Sequence, residues 1–342
     1  MTRILGVVVI GLALVAAGCG PIAVLESGGS ADSVAMLPGE VALSSAADEA
    51  YQFEATLGYE SGSLEHLGAM VGPTPGDADE GVISLGFTWY FLGAVENDDV
   101  PVELQPLDQK ASSVGVDVGF GSVDYETGGV DDSDISDLAL GVRYILGEDT
   151  PVDGLGFELT YAKRTIDDYG GSTNDQETSS MRFGVLYYIA PVEGLIAKLG
   201  YSTSSVDDGG ANEPEVSGID LGVEYYVDVS DGMYLDAELT LGFPSYDPDD
   251  GSDETDIFSY LLSVDFYPMQ FLGFGLDYGN DSYDVSGGDY DVSTFGLHVV
   301  WNVEQVPGLD VNLGWAKETA DDSTTPNDDE DSAITLTVDY RF

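Results

Sequence analysis

The sequence predicts an all-β protein, a transmembrane antiparallel up-and-down β-barrel of about fourteen strands. Three observations carry this prediction. Apolar residues alternate with polar ones in fourteen segments, short connections alternate with long ones, and aromatic residues cluster where the segments end. A period of two is the pattern of a strand with one face on lipid and the other on water.

The outward-facing series follow one another with little interruption. In chain order they cover residues 51–59, 83–91, 114–120, 138–144, 155–161, 181–189, 195–201, 219–227, 233–243, 258–266, 272–278, 295–301, 309–315 and 334–342. Most approach the roughly 9–11 residues that a tilted strand needs to cross a bilayer. The third is the least regular, because Val123 and Tyr125 have the opposite parity to Phe120, and a β-bulge there is one explanation.

The connections predict which end of the barrel faces which compartment. Short ones such as "APVEG" and "DVSDG" follow even strands, and long acidic ones follow odd strands, at 60–80, 167–178, 203–217, 244–256, 279–292 and 317–332. Short periplasmic turns and long external loops are the layout of outer-membrane barrels. The strand ends carry two sets of aromatic residues, typical of the two lipid–water interfaces: Tyr59, Tyr161, Tyr201, Phe243, Tyr278 and Trp315 on one side, and Phe91, Tyr144, Tyr187, Tyr225, Phe266, Trp301 and Phe342 on the other.

The N-terminus reads as an export signal, with Arg3 before the apolar run "ILGVVVIGLALVAAG". "AAGC" resembles a lipoprotein signal in which Cys19 is acylated, and ordinary cleavage after Ala17 is the alternative. The predicted organisation is a signal peptide at 1–19, a flexible segment at 20–48 and the barrel at 49–342.

Composition excludes several classes of protein. The chain has 64 acidic and 9 basic side chains, so phosphate backbones would be repelled and no nucleic-acid partner is expected. Disorder does not fit a chain that is 43% hydrophobic with 20 Tyr and 13 Phe. A soluble acidic β-sandwich would also alternate, but the export signal, the turn–loop asymmetry and the apolar faces favour a barrel that closes on itself in outer-membrane lipid.

The stretch "TWYFLGAVENDDVPVELQPLDQKASSVGVDVGFG", residues 88–121, is similar to the first periplasmic hairpin of the β-barrel porin family of the Gram-negative outer membrane. The similar features are the strand end at Tyr90-Phe91, the turn at 99–101 and the strand start at 111–114. Phe342 matches the terminal aromatic residue that such barrels present to the barrel assembly machinery. The resemblance implies a porin-like channel and supplies no substrate.

Charged residues on the inward parity are the candidate lumen lining: Arg143, Arg182, Lys198, Asp220, Glu224, Asp236, Glu238, Asp265, Asp277, Asp310 and His298. The bases occupy one arc of the wall and the acids the rest. One interpretation is an electric field across the lumen, and the alternative is solvated wall charge without special arrangement. The acidic surplus predicts cation preference.

The same residues show no enzymatic constellation. His66 lies in a loop, and His298 with Asp277 is better explained as part of the lumen wall than as a catalytic pair. We therefore expect no enzyme activity, no cofactor and no metal site. The predicted function is passive diffusion of ions and small polar solutes, with a surface-binding or structural barrel that acts through its acidic loops as the alternative. Apolar outer faces on every strand favour a monomer over a trimer.

Overall fold

The computed structural model describes residues 51–65, 78–91, 101, 104–125, 133–146, 154–167, 175–190, 192, 194–207, 214–230, 232–247, 255–285, 288–303, 309–322 and 329–341. They contain fourteen strands and one short helix. The elements are β1 Phe53–Glu65, β2 Ala78–Tyr90, α1 Gln105–Asp108, β3 Ser113–Tyr125, β4 Ser133–Ile145, β5 Leu155–Ile166, β6 Gln176–Tyr188, β7 Leu195–Asp207, β8 Glu215–Ser230, β9 Met233–Asp247, β10 Thr255–Met269, β11 Leu272–Val285, β12 Gly288–Asn302, β13 Leu309–Asp322 and β14 Asp329–Arg341. Among these residues, no helix has the length and apolar character needed to cross a bilayer.

Each strand pairs antiparallel with its neighbours in the chain, and β14 pairs with β1, which closes the barrel. The closing register runs from Glu54↔Arg341 to Glu65↔Glu330. Closure pairs the backbone groups of every strand within the protein, which a bilayer requires because lipid offers them no hydrogen bonds. The predicted fold class, strand number and topology are confirmed.

The strands are longer than the sequence analysis expected, at 12 residues in β5 and 16 in β8. Pairing continues into segments that were assigned to long loops. For example, β11 and β12 remain paired up to Val285↔Gly288, so the expected loop at 279–292 is mostly strand. The reason is that an antiparallel ladder satisfies backbone hydrogen bonds outside the apolar layer as well as inside it.

The third strand has no β-bulge, so a bulge does not explain its change of parity. The β2–β3 register is continuous from Ala78↔Tyr125 to Tyr90↔Ser113, so the change of pattern at Val123 is a change of residue type within a regular strand. The described register shifts lie elsewhere, between Phe266 and Met269 and between Asp228 and Ser230, at the turn ends of strands.

The outer surface is apolar in a band and polar beyond it. Leu57, Leu85 and Leu199 are about half exposed, and aromatic residues such as Tyr59 and Tyr201 mark the loop side of the band. Past Tyr201 the outward positions of β7 are Thr203, Ser205 and Asp207. The strand extensions therefore stand above a belt that matches the aromatic girdle of a membrane barrel.

Candidate functional site

The inward face of the barrel wall is the candidate site. Inward side chains such as Glu54, Asp220 and Asp310 are almost fully buried, whereas outward residues such as Leu57, Ile219 and Leu221 are about half exposed. All eleven residues predicted to line the lumen lie on this inward parity: Arg143, Arg182, Lys198, Asp220, Glu224, Asp236, Glu238, Asp265, Asp277, Asp310 and His298.

The three predicted bases are joined to carboxylates of the wall. Arg143 Nε lies 2.7 Å from Glu158 Oε1, and Arg182 lies 3.5 Å from the same carboxylate and 2.8 Å from Asp220 Oδ2. Lys198 Nζ lies 3.1 Å from Glu224 and 2.9 Å from Glu238. We call this network from β4 to β9 the charge ladder.

Glu158, which links two arginines of the charge ladder, was missed by the sequence analysis. Its signal was present, because it stands between the outward residues Phe157 and Leu159 on β5. The bases thus meet acids on the adjacent strand or one strand further on, and each of the three bases is paired within the wall itself.

His298 is held between two carboxylates. Its Nε2 lies 2.7 Å from Asp265 Oδ1, and its Nδ1 lies 3.5 Å from Asp277 Oδ2. Ser263 donates a hydrogen bond of 2.5 Å to Asp277. Gly275 faces the imidazole so closely that a Cβ there would overlap the ring. Both ring nitrogens face carboxylates, so His298 serves the wall as a fixed hydrogen-bonding group.

A second charged group lies near the seam between β1 and β14, and the sequence analysis did not single it out except for Asp310. Arg341 lies 3.3 Å from Glu54 Oε2 and 3.0 Å from Asp310 Oδ2. Tyr90 donates a hydrogen bond of 3.2 Å to Glu54, and the Arg341 guanidinium lies 5.3 Å from the centre of the Tyr51 ring. Arg341 was detectable, because it occupies an inward position of the final alternating segment.

The turn end of the lumen is apolar. We call the buried group Leu104, Ile145, Leu186, Tyr188, Ile196, Tyr226 and Tyr267 the turn-end cluster. Leu104 belongs to the connection between β2 and β3, residues 91–112, whereas the other members come from β4, β6, β7, β8 and β10. Strands β4 and β10 are six positions apart in a ring of fourteen, so the described residues 104–112 of this connection pack inside the barrel against a wide arc of the wall.

Polar contacts fix the same connection. Tyr226 donates a hydrogen bond of 3.1 Å to Asp108, and Lys110 Nζ lies 5.5 Å from the centre of the Tyr188 ring. The backbone N–H of Ile145 donates a hydrogen bond of 2.9 Å to Ser112 Oγ. We call residues 104–112, which include α1, the α1 segment. From the sequence, only a periplasmic turn was expected here.

A cavity of about 90 Å³ lies along the wall from β14 through β1 to β6. Its inward lining is composed mostly of small residues, including Gly58, Ser84, Gly119, Ala139, Ala162 and Ser180. Arg164 also lines it and is held by Asp137 at 2.7 Å and by Glu80 at 3.1 Å. We call this space the wall cavity.

Some predictions lie outside the described residues: the signal peptide with Cys19, the segment at 20–48, His66 and the terminal Phe342. Within the ranges that are described, no group of three or more His, Cys, Asp or Glu side chains is placed to hold a metal ion.

No family model matches this chain, and no curated protein matches its sequence. Omp33, an outer-membrane protein of Acinetobacter baumannii, is similar to it at 15% identity with a TM-score of 0.48, over 86% of this chain and 100% of that chain. A loop-deletion mutant of OmpT, an outer-membrane protein of Vibrio cholerae, is similar at 10% identity with a TM-score of 0.44, over 85% of this chain and 98% of that chain. The toluene transporter TodX of Pseudomonas putida is similar at 11% identity with a TM-score of 0.41, over 86% of this chain and 90% of that chain. These similarities are weak, and the fold assignment rests on the strand pairing of this chain.

Proposed function

We propose that this protein is a channel of the bacterial outer membrane, through which ions and small polar solutes diffuse passively and cations are preferred. The observation that carries the proposal is the contrast between the two faces of one closed sheet. The outward face is an apolar band edged by aromatic residues, and the inward face carries charged side chains.

The inward charges support cation preference. The bases of the charge ladder and the seam are paired with carboxylates, and of the eleven predicted lining residues seven are acidic whereas three are Arg or Lys. A lumen with surplus negative charge raises the local concentration of cations and lowers that of anions.

The reversal potential in planar bilayers tests this proposal. With a tenfold KCl gradient across the membrane, we expect a potential of the sign that indicates K⁺ selectivity, and a smaller potential at high salt because exposed charges are screened. A potential that indicates chloride selectivity contradicts the cation preference.

The turn-end cluster favours a second candidate, a structural or surface-binding barrel whose acidic loops carry the function. The α1 segment packs inside the turn end, with Leu104 1% exposed, and it narrows the lumen there. Single-channel recording separates the two functions. Steady conductance supports the channel, whereas a barrel that stays silent even after the α1 segment is released supports the second candidate.

The remaining partners are part of the same proposal. The barrel inserts into outer-membrane lipid as a monomer, with Phe342 presented to the barrel assembly machinery. Deletion of Phe342 should reduce the fraction of heat-modifiable, membrane-inserted protein. Normal insertion of the deletion variant contradicts this role.

A further inference from the structure

The wall cavity is formed by two neighbouring rows of inward residues. The strand registers align Thr337, Gly58, Ser84, Gly119, Asp137, Arg164 and Thr178 in one row, from β14 to β6. The next row contains Asp117, Ala139, Ala162 and Ser180. Because most of these side chains are small, the wall is recessed here, and the recess has an apolar floor with a few polar groups.

The volume sets the size of an occupant. A water molecule needs roughly 10–15 Å³ of such space, so a cavity of about 90 Å³ has room for about six water-sized groups. This matches an organic solute of a few heavy atoms.

Asp117 is only 7% exposed. Its Oδ1 is fully buried without a partner and lies against Gly86, where a Cβ would overlap it. The side chain lines the wall cavity, so its remaining exposed surface is directed to the lumen. Thr178, which is 2% exposed and lines the same cavity, also has a hydroxyl without a partner.

The cations around the cavity are already engaged. Arg164 is held by Asp137 and Glu80, and Lys163 Nζ lies 2.6 Å from Glu177. Arg341 is held by Glu54 and Asp310. A buried carboxyl group without a partner is unfavourable in its charged form, and an incoming cation with N–H donors would stabilise that form by supplying an opposite charge and hydrogen bonds.

We propose that the wall cavity binds a small organic ammonium ion, with Asp117 as the carboxylate that receives its N–H groups. The hydrocarbon part of the ion lies against Val82, Ala139 and Ala162, which a hydrated inorganic cation would not exploit. The inference names a solute class for the proposed channel and rests on that function, because the ion reaches the cavity from the lumen.

Equilibrium dialysis of the detergent-solubilised full chain against butylammonium chloride tests the binding site. We expect saturable binding of one ion per barrel, with neither 1-butanol nor an equal concentration of K⁺ displacing it. Asp117→Asn should weaken binding at least about tenfold, because a charge-assisted hydrogen bond to a buried group is lost. Asp281→Asn is the matched control, since Asp281 is an equally buried inward carboxylate on β11 that does not line the cavity.

A second variant changes the volume of the wall cavity and leaves its charge unchanged. Ala139→Leu fills the recess and should also abolish saturable binding, while heat-modifiable migration shows that each variant is folded. Absence of saturable binding, displacement by K⁺, or equal loss in Asp117→Asn and Asp281→Asn overturns the proposal. Conductance is recorded separately. Binding without conductance supports the cavity site and contradicts the channel function. Conductance without binding supports the channel function and contradicts the cavity site.

Discussion

The turn end and the middle of the barrel surround the same axis with different chemistry. At the turn end, the α1 segment and six inward side chains pack into an apolar cluster, and at mid-height the wall is crossed by the charge ladder. Apolar packing excludes water and holds a segment in place, whereas paired charges keep polar groups along a wall that solutes can follow. For the proposed channel, the difference predicts a restriction of the lumen at the turn end and selectivity in the middle.

The largest effect should follow from a charge placed in the turn-end cluster. Leu104→Asp puts a carboxylate at a position that is 1% exposed, where it costs several kcal/mol unless the α1 segment moves into water. We expect the segment to leave the barrel and single-channel conductance to rise. Gln109→Asp, at a half-buried position of the same segment, is the control and should change little. An unchanged conductance in a folded Leu104→Asp barrel would place the restriction elsewhere.

The charge ladder can be broken at its centre. Arg182→Met leaves Asp220 buried without its cation, and removal of one partner from a buried pair typically costs roughly 3–5 kcal/mol. The control is Lys163→Met, which removes a partly exposed ion pair above the apolar band and should cost roughly 0–1 kcal/mol. Urea unfolding of both variants in liposomes measures the difference, and equal losses would show that the ladder is a solvated feature.

Substitution of two turn glycines distinguishes the energetic cost of backbone strain from the cost of a steric overlap. Gly154 and Gly232 have φ values of 77° and 84°, a region that costs other residues about 1–2 kcal/mol. A Cβ at Gly154 would also lie 2.9 Å from Tyr188 Cβ, whereas a Cβ at Gly232 would meet nothing within 4 Å. Gly154→Ala should therefore lower the unfolding free energy more than Gly232→Ala, by about 1 kcal/mol or more. Equal effects would mean that Tyr188 moves away freely.

The smallest effect should come from a single hydrogen bond. Tyr226→Phe keeps the ring in the turn-end cluster and removes the donor to Asp108, which is typically worth about 1 kcal/mol. We expect more frequent brief openings in single-channel records, with little change in stability. Tyr225→Phe, on the outward face of the same strand, is the control, and identical records for the two variants would show that Asp108 does not hold the α1 segment.

Strand parity explains how much of this structure could be predicted. Alternation places Arg143, Asp310 and His298 on the inward face because the side-chain period of a strand is fixed. It does not give the partner of each charge, because Arg182 meets Asp220 only through the registers of two neighbouring strand pairs. The wall cavity could not be predicted from the sequence for the same reason, because its lining residues come from seven strands.

Two other features escaped because their local pattern is not that of a strand in lipid. The α1 segment has no period of two, and its inward packing depends on side chains of five distant strands. The strand extensions carry polar outward residues such as Thr203 and Ser205, and a polar segment next to a turn reads as a loop. Both errors arise where the environment of the chain changes from lipid to water.

The seam between β1 and β14 has a consequence for the order of folding. Arg341 and Glu54 are 287 positions apart, whereas every other pair of adjacent strands is consecutive in the chain. Contacts of such long range form late because the loop entropy must be overcome first. Until then the barrel has two open edges that can pair with other chains, and Glu54 lacks its cation. The Arg341–Glu54 ion pair therefore makes completion of the ring and neutralisation of Glu54 one and the same event.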